Sequence, residues 1–163
     1  MRQLIYIFLA GILLASSCGT TGEMRSSREE RDSIRTENVR KALESNQMII
    51  KVNRLHARYG KILDINPDHN FIIIDKDMTR ISLAYVGRSY SSRPIAAINM
   101  RGKIQSSLID TRRNGSYDLK IELGQDSEKF TLYMNISRNG FVSLSIVNPR
   151  IDFVRYSGTL RAL

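Results

Sequence analysis

The sequence predicts a mainly β fold, an antiparallel β-sandwich or partly open β-barrel of about eight strands, preceded by one helix. Three observations carry that expectation. After Met48 the apolar residues stop recurring at helical spacing and begin to alternate. The late segments alternate strictly: Tyr117, Leu119, Ile121 and Leu123 are interleaved with Asp118, Lys120 and Glu122, and Phe130, Leu132, Met134 and Ile136 with Thr131, Tyr133 and Asn135. Such segments bury one face and solvate the other. Finally, Asn114-Gly115 and Asn139-Gly140 stand between alternating runs, and both residue types tolerate the positive φ of tight hairpins.

The 163 residues fit one domain, and a hydrophobic content of 42% suffices for a modest core. The chain opens with a short basic start, Met1-Arg2-Gln3, followed by an apolar run over 4–15. That run is too short to span a bilayer comfortably, which takes about 20 residues. Ala15, Ser16 and Ser17 then lead to Cys18, the only cysteine. Charge, apolar stretch and small residues in that order form a secretory signal peptide. The segment around Cys18 resembles a bacterial lipobox, although Ala15 stands where leucine is preferred. This resemblance implies cleavage after residue 17, acylation of the Cys18 sulfur (palmitate as a typical chain) and membrane anchoring through the lipidated Cys18. Acyl chains contribute about 0.8 kcal/mol per buried methylene, so two or three hold stably where one does not.

The expected organisation is a signal peptide over 1–17, a lipidated tether over 18–25, a helix over 26–46 and an antiparallel β domain over 47–163. Over 26–46 helix formers dominate, without Pro or Gly. Ser26 or Ser27 with Glu30 is compatible with a capping box. Apolar residues are sparse before Val39, Ala42 and Leu43, so the first half reads as a solvated stalk and the second packs one face onto a body. Expected strands lie at 48–57, 61–66, 71–75, 80–86, 102–110, 117–123, 130–136, 142–146 and 150–156, the last after the break at Asn148-Pro149.

The helix ending Lys41-Ala42-Leu43-Glu44-Ser45, the strand leading to Asn53-Arg54 and the segment Ala84-Tyr85-Val86-Gly87-Arg88-Ser89-Tyr90 resemble the Bacteroidetes lipoproteins grouped as domain-of-unknown-function family 4251. The Asn139-Gly140 hairpin and the final 151–158 segment fit the same pattern, so the resemblance covers about residues 40–160. Where the family often has a glycine-rich run after the second tyrosine, this chain has Ser91-Ser92-Arg93-Pro94. The resemblance implies an envelope location and a fold, but no activity. No acidic run follows Cys18; in such lipoproteins that run resembles a surface-export signal, so the expected location is the outer membrane, facing the periplasm.

Catalytic motifs are sparse. A single cysteine excludes an intrachain disulfide framework and an all-cysteine metal site. His56 and His69 are the only histidines, no serine lies in Gly-x-Ser-x-Gly, and neither Gly-x-Gly-x-x-Gly nor a Walker loop occurs. His69 falls in the polar turn Asn66-Pro67-Asp68-His69-Asn70, and His56 on a strand beside Arg54 and Arg58. Asp64, Asp68, Asp75 and Asp77 lack the order of a calcium loop. No catalytic residue, metal or cofactor is expected.

The segment that reads as a ligand-binding or structural loop is Tyr85, Gly87, Arg88 and Tyr90. Gly87 marks a bend at a strand end, and Arg88 between two tyrosines suits forked hydrogen bonding to carboxylates or sugars. Alternatively, the tyrosines pack under the loop and Arg88 pairs with an internal acid. The formal charge of +9 includes Arg101, Lys103, Arg112, Arg113, Arg138, Arg150 and Arg155. For an envelope protein these point to anionic lipid heads, acidic glycans or other envelope proteins rather than to nucleic acid, the plainer alternative being charges scattered for solvation. The expected function is a lipid-anchored cell-envelope protein with a non-catalytic β domain that binds a ligand or serves structurally. The alternative is an enzyme processing an envelope glycan or peptide with a carboxylate pair, using Tyr85, Arg88 and Tyr90 as substrate contacts.

Overall fold

The structure, a computed structural model, describes residues 20–57, 60–88, 90, 96–125 and 128–163. The segment 1–17 expected as a signal peptide, Cys18 and residues 91–94 lie outside the described residues. The chain divides into two compact units, 1–34 and 35–163. A helix, α1 (Thr20–Ser45), runs through the end of the first unit into the second. It begins at Thr20 rather than at 26, so residues 20–25, expected as tether, are helical. One glycine in a helix costs only about 1 kcal/mol, and Gly22 is followed by good helix formers.

In the second unit nine strands follow: β1 (Gln47–His56), β2 (Ile62–Asp64), β3 (Phe71–Asp75), β4 (Met78–Ala84), β5 (Ala97–Thr111), β6 (Tyr117–Gln125), β7 (Glu128–Ile136), β8 (Phe141–Val147) and β9 (Val154–Ala162). Every pairing is antiparallel and sequential from β3 to β9, and β9 returns to pair with β1. The sheet is therefore a closed eight-stranded barrel, with β2 as a short ninth strand. β1 pairs with β3 along 47–51 and with β2 along 54–56, its partners changing at a bulge around Asn53. β2 and β3 are in effect one barrel strand interrupted by the polar loop between them.

Inward positions are almost wholly apolar, and eight strands enclose just enough room for side chains to fill. Met48, Ile50, Leu55, Ile72, Ile74, Ile121, Leu123, Leu132 and Tyr156 are all fully buried there. Val39, Ala42 and Leu43, from the last turns of α1, belong to the same core. The outward positions carry the charged residues, among them Lys51, Arg54, Arg80, Arg101, Lys103, Lys120 and Glu122. An apolar inside and a charged outside invert the arrangement of a membrane-spanning barrel. Among the described residues no helix is long and apolar enough to cross a membrane.

The turns follow the residue chemistry, with one refinement. In both Asn-Gly turns only the glycine takes positive φ, 77° at Gly115 and 84° at Gly140. Gly115 N–H donates to Arg112 O and Gly140 N–H to Ser137 O, while Asn114 and Asn139 each accept a backbone N–H two residues on. These are type I turns closed by a left-handed glycine rather than two-residue hairpins. At the C-terminus of α1, Asn46 takes φ 53° and exchanges hydrogen bonds with Lys76, which itself has φ 55° at the β3–β4 turn. This pins the helix end to that turn. The last strand departs from expectation: it begins at Val154, not at 150. The Asn148 side chain accepts the Arg150 N–H, and Ile151 N–H donates to Asn148 O, so 148–151 is a turn.

Candidate functional site

The segment from Tyr85 to Tyr90 leaves the end of β4 and lies against the β8–β9 loop. Tyr85 is buried, and its hydroxyl donates to Arg88 O at 2.6 Å while accepting the Asp152 N–H at 2.9 Å. The Asp152 carboxylate accepts the Arg88 N–H at 3.3 Å and the Tyr90 hydroxyl at 2.9 Å. Tyr90 N–H donates to Arg150 O, and Asp152 N–H also donates to Arg88 O at 3.1 Å. Gly87 is required by close approach: a Cβ there would stand 2.5 Å from the Tyr85 hydroxyl. The four residues are thus brought together, with Tyr85 as the buried hub. Arg88 enters the network through its backbone, and its side chain is exposed.

Two variants separate these contributions. Arg88→Ala is expected to change the unfolding free energy by no more than about 0.5 kcal/mol, as for an exposed side chain. Tyr85→Phe loses two hydrogen bonds, to the part-buried Arg88 O and Asp152 N–H, and should cost about 1–3 kcal/mol. Paired urea denaturation curves check both; equal midpoints for the two variants would contradict the network.

The other sequence candidates are dispersed. Asp64 pairs with Arg54 at 3.3 Å, Asp68 with Lys51 at 2.8 Å and Asp77 with Lys103 at 3.6 Å, while Asp75 accepts from Gln47. Among the described residues no group of three or more His, Cys, Asp or Glu gathers in metal-binding fashion. His69 is exposed in its turn. His56 Nε2 lies 2.7 Å from Ser157 Oγ, a hydroxyl–imidazole pair on the outer wall. Both residues are held in strand register there, Ser157 opposite Ser143.

A site the sequence reading did not assemble lies on the outer wall across β5–β9. Register aligns Leu108, Lys120, Tyr133, Ser145, Arg155 and His56 in one cross-strand row. The neighbouring row holds Asp118, Asn135, Ser143 and Ser157. All of these except His56 and Ser157 line an open groove of about 470 Å³. Tyr133 is 47% exposed, with the Lys120 ammonium 6.0 Å from its ring centre. Among the described residues no carboxylate pairs with Arg155. Asp118 accepts from Asn135 at 2.7 Å and from Arg112; these hydrogen bonds hold its carboxyl below the usual range. Glu122, bonded by Lys120 and Lys129, is drawn down to about 2. Both carboxylates therefore stay ionised near neutrality, which does not suit a general acid. Asp118, Lys120, Tyr133, Asn135, Ser143 and Ser145 were legible as outward from alternation; Leu108, His56, Arg155 and Ser157, and the alignment of all of them, needed the register.

The fold and the two clusters define a small, closed, antiparallel barrel with a helix packed on its core, polar outside and filled within. The family model described as "Domain of unknown function (DUF4251)" matches residues 30–160, and the chain belongs to that family. It is similar in fold to the crystal structure of a DUF4251 family protein from Bacteroides eggerthii DSM 20697, with a TM-score of 0.67 at 13% identity. That similarity covers 79% of this chain and 88% of the other. No curated protein matches the chain.

Proposed function

We propose that this protein is a lipid-anchored, periplasm-facing outer-membrane protein whose non-catalytic barrel binds acidic saccharide chains in the β6–β9 groove. The observation that carries the reading is the row Lys120–Tyr133–Ser145–Arg155, an exposed aromatic ring flanked by two cations. Sugar rings rest their apolar C–H faces on a tyrosine ring, and arginine takes carboxylates by forked hydrogen bonds. Ser143, Ser145 and Asn135 supply hydroxyl and amide partners along the floor. Lys120 and Arg155 stand three strand spacings apart, about 14 Å, which suits several linked sugars rather than one. The unique Cys18, placed directly after an apolar leader, supports the anchor.

Calorimetry with oligogalacturonate, alongside neutral maltooligosaccharides, tests the binding. Tyr133→Ala and Arg155→Ala are each expected to weaken oligogalacturonate binding at least tenfold, about 1.4 kcal/mol. Added salt should weaken it further. Absence of binding by the parent, or binding by both variants as tight as the parent's, would overturn the saccharide reading. Radiolabelled palmitate incorporation that survives Cys18→Ala would overturn the anchor.

A further inference from the structure

Strand β5 is paired unequally along its two edges. Its register with β4 covers 97–103, whereas its register with β6 covers 103–111, with a bulge between Ile104 and Ser106. The Gln105 side chain lies over Gly124 at that bulge, where a Cβ would meet its amide. From Gln105 to Thr111 the strand therefore has a β6 neighbour on one side and, among the described residues, no strand on the other. All seven residues are exposed, Leu108 at 66% and Ile109 at 42%. Alternate residues of such an edge present unpaired N–H and C=O groups.

Proteins blunt free edges with short strands, lysines, prolines or inward charges. The other short edge here fits that rule, because β2 has only three residues. The β5 edge does not: Gln105-Ser106-Ser107-Leu108-Ile109-Asp110-Thr111 contains no Lys, Arg or Pro and a single charge. We propose that this edge pairs antiparallel with the same edge of a second copy of the chain, about a two-fold axis at Leu108.

Charge and register select that arrangement. Centring on Leu108 sets Leu108 opposite Leu108, Ser107 opposite Ile109, and Gln105 opposite Thr111. The one charge, Asp110, then faces the Ser106 hydroxyl of the second copy, and like charges are nowhere opposed. Centring on Asp110 would oppose two carboxylates, which destabilises a cross-strand pair. Centring on Ser106 would bring Asp110 against Gly102, which is already paired with β4. The contact is isologous, so it closes at two copies and does not propagate. It joins two outer walls with Leu108 at the seam; if the saccharide reading holds, the two grooves become one continuous track. A single strand pair is small for a protein interface, so association should depend on concentration and be strengthened by tethering to one membrane.

Cysteine scanning in cells expressing the full chain tests the pairing. Leu108→Cys should give a disulfide-linked homodimer on non-reducing gels, absent in the parent chain. Ser106→Cys, whose partner across the axis is Asp110, should not crosslink alone but should do so when co-expressed with Asp110→Cys. Thr159→Cys, exposed on β9, is the control. In detergent, sedimentation velocity of the parent should show dimer rising with concentration. Leu108→Lys opposes two ammonium groups and should reduce dimer at least tenfold while leaving the melting temperature unchanged. A monomer at every concentration, equal crosslinking through Thr159→Cys, or a Leu108→Cys product containing a different protein would each overturn the proposal.

Discussion

Replacing Tyr156 by alanine is expected to lower the unfolding free energy by about 3–5 kcal/mol, the range for deleting a large buried aromatic side chain. Tyr156 is fully buried and among the largest such side chains in the barrel. It rises from β9 and its hydroxyl donates to Ala84 O at the end of β4, 3.0 Å away, so it spans the interior between strands that do not pair. Its removal leaves a void that a closed barrel has little freedom to collapse. Tyr156→Phe keeps the ring and loses the hydrogen bond, so its cost should be about 0.5–1.5 kcal/mol. Burial pushes the Tyr156 hydroxyl above its ordinary value. The folded state then holds this proton more tightly than the unfolded state, where the value is about 10. The associated stability is present in full below about pH 10 and is lost as the pH rises through the higher folded-state value. Guanidinium denaturation at rising pH should show this alkaline loss in the parent and a flatter profile for Tyr156→Phe. The same slope in both would count against the assignment.

Gly158→Val is expected to cost about 3 kcal/mol or more, at the upper end of overpacking penalties, by prising β9 from β1. Gly158 stands opposite both Val52 and Val142 and next to the β1 bulge. A Cβ at this position would lie 2.2 Å from Lys51 O and 2.9 Å from the Val52 Cα, both backbone atoms that cannot swing aside. The seam that closes the barrel must open locally to admit any side chain. Hydrogen exchange resolved along the chain provides the check. Amides of β1 and β9 should exchange faster in the variant, while those of β6 and β7, on the far side of the barrel, keep their protection. Unchanged protection at the seam would refute the close-approach argument.

Much of the barrel was legible in the sequence because a strand with one buried face writes its period into the residues. The alternation from Tyr117 to Ile136 located β6 and β7 and correctly separated inward from outward residues, Tyr133 included. The Asn-Gly pairs located two turns, since few residues adopt positive φ there. What failed was local evidence about strand ends. β9 was displaced because Asn148 folds 148–151 into a turn through its own side chain, while Gly158 sits within a strand for a reason on β1. β5 was started at 102 rather than at 97, because its early inward residues, Ile98, Met100 and Gly102, give only a short apolar alternation.

The sequence by itself determined the class of fold and the inside and outside of β6, β7 and β8. Only the tertiary structure decided that the sheet closes, because closure depends on β1 and β9 meeting across the whole chain and on Gly158 permitting that approach. It also decided the role of the Tyr85–Tyr90 loop, since Asp152, the residue that organises it, arrives from another hairpin. The same holds for the row from Lys120 to Arg155. Alternation tells a residue which face it takes, but not which residues of other strands stand beside it; that follows from register, a property of pairs of strands.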